Sequence, residues 1–300
     1  MTRALIVGCG FVGAALGRKL LEDGGEVWGV KRDPSGLPPG ITPVAADVSD
    51  ARTLVGSILV EPDVVIYAVS ADERTEEAYR AAYVDGLTTV MSVLLEGGHL
   101  PDRLLYVSST AVYGDQGGNW VDEITPTDPT GFRGKVLLDG ETVARTGGGT
   151  GVPGVSVRLG GIYGPGRTSL IRKVRNGEAL CPPGGPYYTN RIHRDDAAGI
   201  LAHLAGPIFA DRSPDGLHDV YLGVDRDPAP YCEVLRWIAD ELDVPPPETG
   251  DDGSLERRRR ANKRCRSDRI VEAGYAFRYP SFREGYRELL SGPEASSRVM

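Results

Sequence analysis

Ala4-Leu5-Ile6-Val7-Gly8-Cys9-Gly10-Phe11-Val12-Gly13 is a short apolar run that ends in three closely spaced glycines. Four apolar residues in succession suit a strand covered on both faces, and Phe11 to Leu21 continues at helical spacing with Arg18 and Lys19 on its polar side. Arg3 ahead of the run could also open a signal peptide, but the glycines and Arg18-Lys19 interrupt the apolar stretch too early for that reading. A strand, a glycine turn and a helix form the first unit of a nucleotide-binding sheet. In this G-x-G-x-x-G pattern Gly8 permits the tight turn, Gly10 lets backbone approach a pyrophosphate, and Gly13 lets the helix pack on the strand. Phe11 and Val12 begin the helix whose amides and positive dipole end would face the phosphates.

Outward from that turn, strand and helix signals alternate. Glu26–Val30, Val44–Ala46, Asp63–Val69, Arg103–Ser108 and Val155–Leu159 read as strands. Between them, helices are expected over Ala51–Val60, Glu73–Leu95 and Lys135–Thr146. Alternation of this kind implies an α/β fold, a doubly wound parallel Rossmann sheet with right-handed crossovers. Beyond residue 164 the pattern loosens into Gly/Pro-rich loops and helical stretches, which suggests a smaller C-terminal α/β cap. The expected layout is a Rossmann domain over 1–164, with 190–225 returning to it, a substrate-binding cap over 165–290 and a flexible tail over 291–300.

A dinucleotide site usually carries a carboxylate about twenty residues past its glycine turn, to accept from the ribose 2′-hydroxyl. Here that place reads Val30-Lys31-Arg32. Lys31 and Arg32 suit the 2′-phosphate of NADP(H), whereas Asp33, next in line, would suit NAD(H) if the turn shifted. NADP(H) is therefore the preferred cofactor and NAD(H) the alternative.

Composition narrows the class. Among 300 residues, 42 Asp and Glu face 34 Lys and Arg, a net charge of −8 that argues against a nucleic-acid binder. No apolar window reaches the length of a membrane span, so no membrane partner is expected. The four cysteines (Cys9, Cys181, Cys232, Cys265) form no C-x-x-C pair, and free thiols suit a cytoplasmic protein. No clustering of His, Cys or carboxylates suggests a metal.

Taken in order, Gly8–Gly13, Ala46-Asp47-Val48, Ala68-Val69-Ser70, Val107 to Gly114 (VSSTAVYG), Arg158 to Gly166 (RLGGIYGPG) and Asn190 to Asp196 (NRIHRDD) resemble the extended short-chain dehydrogenase/reductase superfamily, its NAD(P)-dependent epimerase/dehydratase group. The resemblance covers roughly residues 1 to 290 and implies roles for matching positions. Asp47 and Val48 would meet the adenine, Ala68, Val69 and Ser70 the ribose and pyrophosphate, and Gly161 and Ile162 the nicotinamide. Ser108 would lie beside the cofactor, while Ser109, or Thr110 if the strand end shifts, would bond the reacting oxygen.

One departure from the family pattern bears on the chemistry. The superfamily dyad is Tyr-x-x-x-Lys; with Lys135 as its lysine, holding the ribose hydroxyls, the tyrosine position is occupied by Gly131. This resembles an atypical branch lacking that tyrosine. A proton donor could then be Tyr113, Tyr163, Tyr187, Tyr188 or His193. Tyr163, Tyr188, Arg191 and His193 are candidate substrate contacts. The resemblance implies an NADP(H)-dependent oxidoreductase or epimerase-like enzyme acting on a small oxygenated metabolite, with a second copy of the chain as a candidate partner. The alternatives are a non-catalytic NADP(H)-sensing protein and a lyase, dehydratase or cyclase on the same fold.

Overall fold

β1 (Arg3–Val7) is fully buried from Ala4 to Val7, which explains why its sequence shows no alternation. It runs through the glycine turn into α1 (Phe11–Glu22), and β2 (Glu26–Lys31) and β3 (Thr42–Ala45) follow. After α2 (Ala51–Leu54) come β4 (Val64–Tyr67), α3 (Glu76–Arg80), α4 (Gly86–Glu96) and β5 (Arg103–Ser109). The structure, a computed structural model, describes residues 1–58, 60–206, 218–251, 253–259 and 261–292, with the side chains of 257 and 258 left aside. β6 (Trp120–Val121), α5 (Phe132–Arg145), β7 (Gly154–Leu159), β8 (Gly161–Tyr163), α6 (Ser169–Arg175), β9 (Tyr188–Thr189), β10 (Arg191–His193), α7 (Arg194–Ala205) and β11 (Val220–Gly223) continue the chain. No helix among the described residues is long and apolar enough to cross a membrane.

The described residues fall into two units interleaved along the sequence. The first comprises Met1–Val112, Gly131–Arg158 and Ala197–Tyr221; the second comprises Tyr113–Thr130, Leu159–Asp196 and Leu222–Met300. A seven-stranded sheet in the order β11-β7-β5-β4-β1-β2-β3 organises the first. β1 pairs in parallel with β2 (Arg3 opposite Glu26) and with β4 (Ala4 opposite Val64), as β2 does with β3 and β4 with β5. The chain winds outward from β1 in both directions, so the glycine turn stands at the switch point where open sheets bind ligands. Leu5, Val7, Val65, Tyr67, Leu104 and Tyr106 pack against Leu87, Val90 and Met91 of α4.

Three helices differ from their expected spans. α2 stops at Leu54, because Val55 is extended and Gly56 takes φ +76°. The stretch expected as one helix over 73–95 is capped by the Thr75 side chain, which accepts from the Ala78 amide, and is broken by a π-helical turn over Ala81–Asp85. The Tyr67 hydroxyl donates to the Ala82 carbonyl within that turn at 2.6 Å. α5 begins three residues before Lys135, at Phe132.

In the second unit β10 pairs in parallel with β8, β12 (Ala229–Pro230) pairs antiparallel with β9, and β13 (Arg264–Cys265) pairs in parallel with β6. Its core gathers Ile171 and Val174 of α6, Val234, Leu235 and Ile238 of the helix Tyr231–Leu242, and Phe282 and Tyr286 of the helix Phe282–Ser291. Ser281 and Glu284 close a capping box at the start of that last helix. Residues 293–300, most of the expected tail, lie outside the described residues.

Candidate active site

Two of the three fingerprint glycines are packed and one is open. Gly8 has φ +87°, and a Cβ there would lie 2.6 Å from the carbonyl carbon and oxygen of Ala68. A Cβ on Gly13 would lie 2.8 Å from the Gly8 oxygen, so helix and strand meet at backbone distance. A Cβ on Gly10 would meet nothing within 4 Å. Gly8 and Cys9 both donate to the Val30 carbonyl at 3.1 Å, fixing the turn to β2. α1 begins with no side-chain cap and no acidic residue in its first turn, which leaves its positive end suited to an anion. Burial pushes the Cys9 thiol up to about 11, so it is no nucleophile.

At the carboxyl end of β2, Lys31 is exposed, and Arg32 forms a two-pronged ion pair with Asp72 at 2.6 and 2.8 Å. Asp33 is turned to its own loop, where Oδ1 accepts from the Ser35 amide at 3.1 Å and that bonding holds its carboxyl below the usual range. Asp47 accepts from the Ser49 amide and hydroxyl at 2.9 and 2.7 Å, and Val48 and Val69 pack against the sheet core. Ser70, just past β4, is exposed.

β5 ends in side chains that alternate as a strand requires. Ser108 is buried and donates to Glu141 of α5 at 2.5 Å; Glu141 also takes two bonds from Arg158 of β7, at 2.9 and 2.7 Å. This buried triad ties β5, α5 and β7 together below the strand end. Ser109 is half-buried instead, and its oxygen accepts from the Ala111 amide at 3.2 Å, which leaves the hydroxyl proton for another acceptor. Thr110 is buried at 8% exposure.

Lys135 does not share the inward face of α5. It lies six residues before Glu141, about 120° away around the helix, and it is exposed. Gly131, in the tyrosine position, is the exposed N-cap of α5, and Lys135 lies on the exposed face that also carries Asp139 and Thr142. Tyr113, a candidate donor, is completely buried. Sequence reading missed Tyr83, which no motif marks. It stands in the π-helical turn, its hydroxyl beside the Ser70 side chain and the Ala71 amide, and burial holds the phenol above its ordinary range.

The second unit holds a cavity of about 600 Å³ lined by Gly161, Ile162, Tyr163 and Arg191. Arg167, Arg172, Tyr231 and Tyr286 join them, and none of these four was expected from the sequence. Arg191 is buried and donates to the carbonyl and hydroxyl of Thr189. Tyr163 stacks on Tyr286 with ring centres 4.5 Å apart, and burial raises its phenol far above the ordinary range. Tyr188 and His193 do not line the cavity: Tyr188 lies under the Arg264 guanidinium at 4.7 Å. The Tyr187 hydroxyl donates to the Pro183 carbonyl at 3.1 Å. His193 is fully buried; its Nδ1 accepts from the Asp195 amide at 3.2 Å, and burial lowers it to about 4. It is thus a neutral orienting residue of the β10–α7 junction.

A family model described as NAD dependent epimerase/dehydratase matches residues 4–204. Protein YeeZ of Escherichia coli K12 is 27% identical, over 93% of this chain and 97% of its own length. Among solved structures, a Methylobacillus flagellatus protein named as a candidate NAD-dependent epimerase/dehydratase is 32% identical, with a TM-score of 0.77 over 96% of this chain and 97% of that one. The human epimerase family protein SDR39U1, solved with NADPH, shares the fold at a TM-score of 0.75 and 20% identity, over 95% and 98% of the two chains.

Proposed function

The chain belongs to the NAD dependent epimerase/dehydratase family, and from that membership we propose that it is an NADP(H)-dependent oxidoreductase or epimerase-like enzyme acting on a small oxygenated metabolite. The observation that carries the reading is the glycine turn: backbone fills the space around Gly8 and Gly13, while the space over Gly10 is open at the uncapped start of α1. A cradle of that shape accepts a pyrophosphate.

The residues take these roles under the proposal. The turn from Gly8 to Gly13 holds the pyrophosphate, and Lys31 and Arg32 favour a 2′-phosphate over a 2′-hydroxyl. Asp33 turns one carboxylate oxygen to the Ser35 amide in its own loop. Asp47 takes the adenine end. A bound nicotinamide supplies a hydride donor or acceptor. Ser109 donates its remaining proton to the reacting oxygen, and the Ser108–Glu141–Arg158 triad fixes the strand end that carries it. Tyr83, beside Ser70, is the phenol placed to exchange a proton at that edge of the sheet. Arg167, Arg172 and Arg191 give the second unit's cavity a cationic wall suited to an anionic or oxygen-rich group of the substrate.

Fluorescence titration with NADPH and NADH, followed by turnover assays on a carbonyl and alcohol panel, tests the reading. Tight NADPH binding with turnover is expected, whereas failure to bind either dinucleotide overturns it. Tighter binding of NADH than NADPH overturns the cofactor preference. A second reading, a cofactor-binding sensor without chemistry, is favoured by Gly131 in the tyrosine position. Bound cofactor with no turnover across the panel would select it.

A further inference from the structure

Arg32 leaves the carboxyl end of β2, and Asp72 lies in the loop beyond β4. In the sheet these two strands flank β1, whose carboxyl end becomes the glycine turn. The Arg32–Asp72 ion pair therefore joins the loops on either side of the phosphate cradle. Both Nη atoms of Arg32 are engaged, at 2.6 and 2.8 Å, one to each carboxylate oxygen. That is the same two-pronged face a guanidinium offers to a phosphate. The two side chains are 62% and 63% exposed, so the pair is held loosely enough to exchange partners. Lys31, next to it in the chain, is exposed and stands outside this pair.

We propose that Asp72 is a specificity-determining residue that competes with the 2′-phosphate of NADP(H) for Arg32 and so limits discrimination between the two nicotinamide dinucleotides. The inference rests on the cofactor reading above and adds to it a residue that touches no part of the fingerprint. Asp72 acts in two ways. It occupies the donors a 2′-phosphate would use, and its own negative charge repels that dianion. NADH presents a neutral hydroxyl in the same place, so its binding does not depend on the contest.

The experiment uses the full chain and three ligands: NADPH and NADH by fluorescence titration, and 2′,5′-ADP by calorimetry. Asp72→Asn keeps the shape of the side chain and removes its charge. An exposed pair and one screened repulsion together are worth a factor of about three to ten. Asp72→Asn should therefore tighten NADPH and 2′,5′-ADP by about that factor and leave NADH within about twofold. Adding Arg32→Gln to Asp72→Asn should abolish most of the gain, since the released guanidinium is its main source. An unchanged NADPH-to-NADH affinity ratio in Asp72→Asn, with the parent protein binding both, overturns the role of Asp72 and leaves the cofactor reading standing. A parent protein that binds none of the three ligands overturns both. Equal melting temperatures for parent and variants confirm that only the surface has changed.

Discussion

Gly10→Val separates the phosphate cradle from the scaffold that supports it. A Cβ at Gly10 would find no atom within 4 Å, whereas one at Gly8 would meet three backbone atoms at 2.6 to 2.7 Å from φ +87°. Gly10→Val should therefore fold normally, with stability within about 1 kcal/mol of the parent, as for other substitutions into open space. Its isopropyl group instead fills the volume assigned to the pyrophosphate. Losing two charge-assisted bonds at about 1.5–3 kcal/mol each predicts an affinity loss of at least about a hundredfold. Gly8→Ala should show the opposite pattern. A left-handed alanine costs about 1–2 kcal/mol and the backbone overlap about 1–3 more, enough to lower the melting temperature by several degrees. NADPH fluorescence titration and thermal denaturation followed by circular dichroism read the two effects on the same samples. Unchanged NADPH affinity in Gly10→Val, or a melting loss equal to that of Gly8→Ala, would refute the reasoning.

Glu141→Gln strips the charge partner from buried Arg158 and should destabilise the first unit by about 3–5 kcal/mol in chemical denaturation; a loss below 1 kcal/mol would mean that the pair contributes nothing net. With a substrate in hand, Ser109→Ala and Tyr83→Phe should each lower kcat by at least about tenfold at unchanged NADPH affinity, while Tyr113→Phe, a fully buried ring, should leave kcat within about twofold. Burial holds His193 at about 4 against an ordinary value of 6.5, with Asp195 at 3.9 Å opposing that shift and the Arg194 and Arg278 charges adding to it. The unfolded chain therefore takes up this proton below 6.5 and the folded one only near 4, so stability is present above that window and falls by up to about 3 kcal/mol as the pH drops through it. His193→Gln should flatten the drop in melting temperature between pH 7 and pH 5; parallel curves for parent and variant would remove His193 as its source.

The first βα unit could be read from sequence because local signals agreed there: an unbroken apolar run, a glycine pattern and a helical period. The same holds for Ser109, which sits at the end of a strand recognisable by composition. The α2 boundary was also present in the sequence, in Gly56, but helical spacing beyond it suggested continuity. The π-helical turn left no trace, since one extra residue per turn hardly alters an apolar pattern. Lys135 illustrates a different limit. Spacing from Gly131 gave its register, but the face that α5 turns inward is fixed by Glu141 reaching Ser108 and Arg158, 33 and 17 residues away. The Arg32–Asp72 pair and the cavity wall of Arg167, Arg172 and Tyr231 likewise depend on topology, which brings distant segments together without a local signal.

The interleaving of the two units bears on how the protein is made. β5 is complete at Ser109, but its sheet neighbour β7 begins only at Gly154, and β11, which covers the far side of β7, begins at Val220. A chain emerging from the ribosome thus carries a buried-type strand, Arg103 to Ser109, with one edge unpaired through the synthesis of all of α5. When β7 arrives the open edge moves to it, and β6 and β8 through β10 of the second unit must emerge before β11 pairs with it. Exposed edges of apolar strands invite pairing with other chains. Truncations ending between residues 109 and 220 preserve such an edge permanently, so fragments that keep the whole fingerprint should aggregate although every cofactor-binding residue of the first five strands is present.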